Sequence, residues 1–206
     1  MPNTALADRL LAGPASSGLA PPAPAASALP DTAMLMPGRV HEAVGPGRMA
    51  FALALAGQAE GPVLWIRDAR LRDGLYPPGL AAFFDPARLI LVHPTGPLAV
   101  LQTAEEALRD GAAPLVVAEL ATAPDLTASR RLQLAAGTGG GRGLCLIPEG
   151  QLCNNAAETR WMCMPMPGLG AGGQHWEAIK NKRGRLITWR ARTAGGRFMA
   201  AEEEVA

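Results

Sequence analysis

The chain has 206 residues, of which 49% are apolar and 4% aromatic, and its formal charge is +1 at pH 7. This length fits one domain whose core must be built mainly from Ala, Leu and Val. The near-neutral charge gives no overall reason to expect a nucleic-acid or membrane partner.

The sequence shows neither a membrane-spanning segment nor a secretory signal, and its cysteines fit no metal-binding pattern. It contains no apolar run of about 18 residues, which predicts no transmembrane helix. The N-terminus lacks a basic stretch followed by a Leu-rich core, so we expect no secretory signal. Cys145, Cys153 and Cys163 match no zinc-binding spacing. We therefore predict a cytoplasmic protein with no metal site and with reduced, structural thiols.

The chain begins with a segment that is rich in Pro, Ala and Ser, especially between Gly13 and Pro30. Such a composition buries too little apolar surface to order itself. We predict a disordered N-terminal arm (1–35), one domain (36–197) and an acidic C-terminal tail (198–206). The alternative for residues 5–12 is a tethered peptide that docks on a partner.

From residue 36 onward, short apolar runs alternate with helical patterns, which is typical of an α/β fold. The predicted helices are 49–59, 79–84, 97–109 and 127–137. The predicted strands are 40–44, 62–66, 89–92, 115–119, 142–147, 157–164, 176–181 and 186–191.

Two of these strands, 89–92 and 115–118, are continuously apolar. Continuous apolar strands belong to a parallel sheet that is covered on both faces. The last three strands have no helix between them, so we predict an antiparallel extension of the sheet with a hairpin turn at 181–184.

The first strand leads into a Gly-Pro-Gly turn and an apolar helix, which is the layout of a phosphate-binding loop. A working loop has the pattern G-x-x-x-x-G-K-[ST], in which the Lys contacts phosphate and the hydroxyl contacts Mg²⁺. Only Gly45, Pro46 and Gly47 are present here, followed by Arg48. We predict a degenerate nucleotide loop at these four residues.

These features resemble the RecA-like, P-loop-NTPase-type core over about residues 37–195. The segment 113–120 is similar to a Walker B strand, 142–149 to the strand that follows it, and Ala-Ile-Lys-Asn-Lys-Arg-Gly (178–184) to a signature near the end of RecA cores. Within that superfamily the chain most resembles the ImuA family, through Gly-Arg-Val-His-Glu (38–42), the degenerate loop and Ala-Glu-Thr-Arg-Trp (157–161).

The resemblance implies a role in SOS-induced translesion DNA synthesis. It implies an ImuB-like Y-family protein and an error-prone polymerase as partners, with RecA as a further candidate. The best function is therefore a non-enzymatic accessory factor that acts through protein contacts. The alternatives are a nucleotide-binding or weakly DNA-dependent ATPase switch, and an inhibitor of cell division similar to SulA.

Hydrolysis is not expected, and we expect no cofactor, because the groups that would hold Mg²⁺ are missing. In the resemblance, the Walker B Asp aligns with Ala118, and Glu119 lies beside it. Adjacent strand residues face opposite sides, so Glu119 could replace that Asp only after a shift of one position. Asp68 is the nearest candidate for the catalytic carboxylate that RecA proteins carry after the second strand.

A basic tract near the C-terminus is the strongest positive signal. It contributes the candidate partner or DNA surface, which consists of Lys180, Lys182, Arg183, Arg185, Arg190 and Arg192. Lys180 and Lys182 share one face of a strand. The alternatives are contact with acidic groups of a partner, weak contact with DNA phosphates, and a solvated edge hairpin whose charges prevent edge-to-edge pairing. Trp176, Trp189 and Phe198 are the nearby rings that could stack on bases.

Overall fold

The computed structural model describes residues 35–167, 172–194 and 197–205. The predicted N-terminal arm lies outside these residues except for its last position. That position, Leu35, is 1% exposed and belongs to the core, so the domain begins at least one residue earlier than predicted.

The domain is organised by one sheet of nine strands in the order β3-β2-β4-β5-β1-β6-β7-β8-β9. The strands are β1 (Val40–Val44), β2 (Val63–Ile66), β3 (Leu89–Val92), β4 (Leu115–Glu119), β5 (Arg142–Ile147), β6 (Thr159–Pro165), β7 (Gln174–Asn181), β8 (Ile187–Ala194) and β9 (Arg197–Val205). The pairings from β3 to β6 are all parallel, and those from β6 to β9 are antiparallel. The predicted α/β class, a mostly parallel sheet with a C-terminal antiparallel extension, is confirmed.

The helices cover the two faces of the parallel part of the sheet. They are α1 (Arg48–Gln58), α2 (Pro77–Leu80), α3 (Pro97–Asp110) and α4 (Leu126–Gly139), with a short 3-10 helix at Pro86–Arg88. α1 packs on one face and α3 and α4 pack on the other. None of the described helices has the length and apolar character needed to cross a membrane.

Local sequence signals explain where α3 and α4 begin and end. Pro97 occupies the first turn of α3, and Gly111 ends that helix in the left-handed conformation with φ of 74°. Asp125 precedes α4 and accepts a hydrogen bond from the Ala128 amide at 2.7 Å, which satisfies one of the unpaired donors of the first turn.

The core on the α1 face is more aromatic than the composition suggests. Trp65, Trp161 and Trp176 are at most 1% exposed. The Phe51 ring from α1 lies 5.4 Å from Trp161 and 5.2 Å from Trp176, measured between ring centroids. Phe51, Trp161 and Trp176 thus form an aromatic contact between α1 and the sheet, which anchors the helix that follows the glycine turn.

Strand β1 carries a buried histidine whose ionisation opposes folding. His41 is fully buried, with Nδ1 2.8 Å from Thr159 Oγ1 and Nε2 3.3 Å from the Met36 carbonyl oxygen. Burial lowers the pKa of His41 to about 4 from its ordinary value of 6.5. The folded protein therefore holds this ring neutral at pH values where the unfolded chain already binds a proton.

We expect this histidine to reduce stability as the solution is acidified. The part of the unfolding free energy that depends on a neutral His41 is fully present above pH 6.5, declines as the pH falls and is lost near pH 4. Between about pH 7.5 and pH 5 the loss attributable to His41 should be about 2 kcal/mol. Urea unfolding of wild type, His41→Gln and the exposed-site control His93→Gln measures it. The same pH profile in wild type and His41→Gln would contradict the assignment.

Predicted and observed elements differ mainly at the C-terminal end. The bounds of β1, β3, β4 and β5 agree with the prediction. The three strands β6, β7 and β8 form successive antiparallel pairs as predicted, and β6 joins them to the parallel part of the sheet through its parallel pairing with β1. Residues 197–205 form strand β9, where the sequence had indicated an acidic tail.

Candidate functional site

The predicted nucleotide loop, Gly45–Gly47, is packed directly against strand β6. The Gly47 amide donates a hydrogen bond to the Cys163 carbonyl oxygen at 2.8 Å. A Cβ atom on Gly45 would lie 2.6 Å from the same oxygen, and one on Gly47 would lie 2.7 Å from Gln174 Oε1. Gly45 has a φ of 90°, which favours glycine. The loop is thus held by backbone contacts, and one of its potential phosphate donors is already used.

Arg48 occupies the first position of α1, directly after the loop. Its Nη1 atom donates to the Gly45 carbonyl oxygen at 3.0 Å, and the Arg48 amide donates to the same oxygen at 3.2 Å. Gly45, Pro46 and Gly47 therefore form a compact turn, and Arg48 closes it from the first position of α1. The Arg48 side chain bends back over this turn.

A cavity of about 520 Å³, which we call the strand-end cavity, opens beside this turn. It lies at the carboxyl ends of β2, β4 and β5, between the beginnings of α1 and α3. In open α/β sheets, ligands bind at this edge. Its lining combines Arg48, Asp68, Arg70, Asp73, Glu119 and Thr122 with apolar side chains.

The two carboxylates considered for Mg²⁺ or catalysis are both held by neighbouring side chains. Asp68 Oδ2 is 2.6 Å from Arg70 Nη2, and hydrogen bonds from Arg70 hold the pKa of Asp68 well below its usual range. Glu119 Oε1 accepts a hydrogen bond from Trp65 Nε1 at 2.7 Å and lies 3.3 Å from Arg67 Nε. Trp65, Arg67 and Glu119 therefore form a fixed polar cluster.

Metal ligands are also not grouped at this site. Among residues 35–167, 172–194 and 197–205, no group of three His, Cys, Asp or Glu side chains could hold a metal ion. Cys145 and Cys163 are buried, and burial raises the pKa of both thiols. These cysteines act as apolar core side chains.

The part of the basic tract at 180–185 lies at the amino ends of the parallel strands, opposite the strand-end cavity, whereas Arg190 and Arg192 lie on β8 toward the carboxyl ends. The turn lies next to Glu158, which directly precedes β6, and Glu158 in turn lies near Arg39, which directly precedes β1. Arg183 Nε lies 3.1 Å from Glu158 Oε1, and the Lys182 amide donates to the Glu158 carbonyl oxygen at 3.1 Å. The turn between β7 and β8 is thereby attached to the amino ends of the sheet.

The two lysines of the tract are used inside the domain. Lys180 Nζ donates to the Asn155 carbonyl oxygen at 2.8 Å, and Lys182 Nζ donates to the Ala156 carbonyl oxygen at 2.6 Å. Partial burial, together with the nearby charge of Arg160, lowers the pKa of Lys180. Both amines satisfy carbonyl groups of the 155–156 segment, which reduces what they can offer to a partner.

The rest of the tract is divided between two places. Arg185 is exposed in the turn, whereas Arg190 is half-buried and Arg192 is exposed on β8. Trp176, Trp189 and Phe198 are at most 8% exposed and belong to the core. These rings are not available to stack on bases, so single-stranded DNA binding through them is not supported.

A buried charge cluster that was not predicted from the sequence lies between β1 and β6. Glu42 is fully buried, and its Oε2 accepts a hydrogen bond from Arg160 Nε at 2.6 Å. Asn155 Nδ2 donates to the other oxygen of Glu42, and Arg160 Nη2 donates to the Cys153 carbonyl oxygen at 2.7 Å. The available sequence signal was a glutamate in the middle of the predicted strand 40–44, which is otherwise mainly apolar.

Comparison with known proteins identifies relatives for this chain. No protein-family profile matches it. The chain is similar to Protein ImuA of Caulobacter vibrioides strain NA1000 / CB15N, with 35% identity over 166 residues, which cover 72% of this chain and 64% of that protein. Protein ImuA of strain ATCC 19089 / CIP 103742 / CB 15 matches to the same extent. The chain thus spans a little under two thirds of the length of these curated relatives.

Proposed function

Because this chain belongs to the ImuA family, we propose that it is a cytoplasmic, non-enzymatic accessory factor in SOS-induced translesion synthesis. It acts by protein contacts with an ImuB-like Y-family protein and an error-prone polymerase, with RecA as a further candidate. The domain is a RecA-like core that has lost its nucleotide chemistry. Support for this relationship comes from the glycine turn between β1 and an apolar helix, and from the cavity at the carboxyl ends of the strands.

The observation that carries the non-enzymatic assignment is the bond between the Gly47 amide and the Cys163 carbonyl oxygen. A phosphate cradle needs free loop amides, a Lys and a hydroxyl that binds Mg²⁺. Phosphoryl transfer depends almost entirely on such positioning and charge neutralisation. Asp68 is also a poor general base, because Arg70 lowers its pKa far below neutrality.

We expect no ATP hydrolysis above background, with or without single-stranded DNA. The loop lacks the Lys that would contact phosphate and the hydroxyl that would hold Mg²⁺, and the reaction depends on the positioning that these side chains provide. Phosphate release from the purified protein measures it, and Asp68→Ala and Glu119→Ala serve as comparison variants. DNA-stimulated turnover that disappears in either variant would favour the ATPase-switch alternative instead.

For partner contacts we assign the exposed arginines of the basic tract, Arg185 and Arg192. Replacing all of the basic residues would also disturb the bonds that Lys180, Lys182 and Arg183 make within the domain. Exposed charges contribute little to stability, but they govern encounter and specificity at an interface. Substituting only Arg185 and Arg192 therefore tests partner binding and leaves these bonds within the domain intact.

We expect Arg185→Glu with Arg192→Glu to weaken binding to the ImuB-like protein by about tenfold and to leave the melting temperature unchanged. Surface plasmon resonance at two salt concentrations measures this, with Arg130→Glu on α4 as the control. A loss confined to DNA affinity, with a reduced salt dependence, would indicate phosphate contact instead. Unchanged binding to both ligands would leave only a solvated strand surface. Capture of the tubulin-like division protein, and not the ImuB-like protein, would favour the SulA-like alternative.

A further inference from the structure

The strand-end cavity has the size and lining of a small-molecule site. Its volume of about 520 Å³ lies in the range of ligand pockets, which are mostly apolar with a few placed polar groups. Apolar side chains form most of its wall, among them Met49, Leu71, Val100, Leu101 and Leu146. Val100 and Leu146 are also core residues, so this wall is fixed by the packing of the domain.

The charges around this cavity are unevenly paired. Each of the three lining carboxylates lies within ion-pair distance of an arginine. Asp68 lies near Arg70 at 2.6 Å, Glu119 near Arg67 at 3.3 Å and Asp73 near Arg67 at 3.5 Å, measured from oxygen to nitrogen.

Arg48 differs from the other cations at this site. Within the described part of the chain, its side chain makes one hydrogen bond, to the Gly45 carbonyl oxygen, and no carboxylate lies within ion-pair distance. A guanidinium has five donors, and only one of these is used. The cavity therefore presents one cation that lacks an anion.

From these features we propose that the strand-end cavity binds a small amphipathic anion, with one carboxylate- or sulfonate-type group on Arg48 and an apolar body against the Leu71, Leu101 and Leu146 wall. Charge-assisted bonds from a guanidinium suit such a group. This inference goes beyond the proposed function, which needs no small ligand.

The same features disfavour a nucleoside triphosphate in this cavity. A triphosphate carries several negative charges and needs several donors, whereas the Gly47 amide is already bonded to Cys163. The lining carries three carboxylates and two arginines, so it cannot compensate the several charges of a triphosphate. One anionic group on one arginine fits the available charge.

Titration with the fluorescent probe anilinonaphthalene sulfonate tests the site, with decanoate as a competitor. We expect one saturable site from which decanoate displaces the probe. Arg48→Gln should weaken probe binding by about tenfold, because it removes the charged donor. Arg48→Lys should recover most of the affinity. Ala121→Trp, at an exposed position of the cavity lining, should block binding by filling the opening.

Arg130→Gln, at an exposed position of α4, is the control and should bind the probe like the wild type. Melting temperatures confirm that each variant is folded. Equal probe affinity in wild type, Arg48→Gln and Ala121→Trp would overturn the proposal. Displacement of the probe by Mg²⁺-ADP and not by decanoate would overturn it in favour of a nucleotide site.

Discussion

Gly45→Ala should be among the most destabilising single changes in this protein, with a loss of about 2–4 kcal/mol in the free energy of unfolding. Two costs combine at this position. The backbone has a φ of 90°, which strains any residue with a Cβ atom, and that atom would lie 2.6 Å from the Cys163 carbonyl oxygen. Because the second contact is with backbone, relief requires strand β6 or the loop to shift. Urea unfolding followed by tryptophan fluorescence measures the loss.

Gly150→Ala is the matched control for this effect. Gly150 has a similar φ of 77°, but a Cβ atom there would meet nothing within 4 Å. We expect the control to lose about 1–2 kcal/mol from backbone strain alone. The difference between the two variants measures how tightly the degenerate loop is packed on β6. Equal losses would show that the loop has room to move and would weaken the argument against a phosphate cradle.

Glu42→Ala should cost about 3–5 kcal/mol, because it leaves Arg160 as a buried charge without its partner. The side chain of Glu42 is 1% exposed and that of Arg160 is 11% exposed. Chemical denaturation of wild type and variant measures the change. Arg109→Ala, which breaks an exposed ion pair with Glu105, serves as the control and should cost less than about 1 kcal/mol.

The double variant Glu42→Met with Arg160→Met distinguishes the cost of an unpaired charge from the cost of lost side-chain packing. Replacing both members of a buried ion pair by apolar groups is often neutral, whereas removing one member is not. We therefore expect the double variant to be clearly more stable than Glu42→Ala. If both variants lost the same amount, the cost would come from packing around Glu42 and not from an unpaired arginine.

Two strands of the parallel part of the sheet, one at its edge and one inside it, could be predicted from sequence because their local pattern leaves few alternatives. Leu89–Val92 and Leu115–Glu119 are apolar runs with clear ends, and their predicted bounds agree with the structure. Strand β9 has no such pattern, since three consecutive glutamates at 202–204 look like a solvated tail. It becomes a strand by pairing with β8, from Ile187–Val205 to Ala194–Arg197, which no local signal encodes.

The candidate site was predicted in part for the same reason. The turn at Gly45–Gly47 follows from adjacent residues. Its contact with Cys163 and the bond between Glu42 and Arg160, 118 positions apart, depend on which strands become neighbours. Sequence alternation placed Lys180 and Lys182 on one face, but only the fold brings the 155–156 carbonyl groups within their reach.

The position of the basic turn at the amino ends of the parallel strands, with the strand-end cavity at their carboxyl ends, has a consequence for assembly. The core strands have four to six residues, which separates the two ends by roughly 13–20 Å. We expect a small ligand in the strand-end cavity and a partner on the basic turn to contact different ends of the same sheet, so that neither has to displace the other.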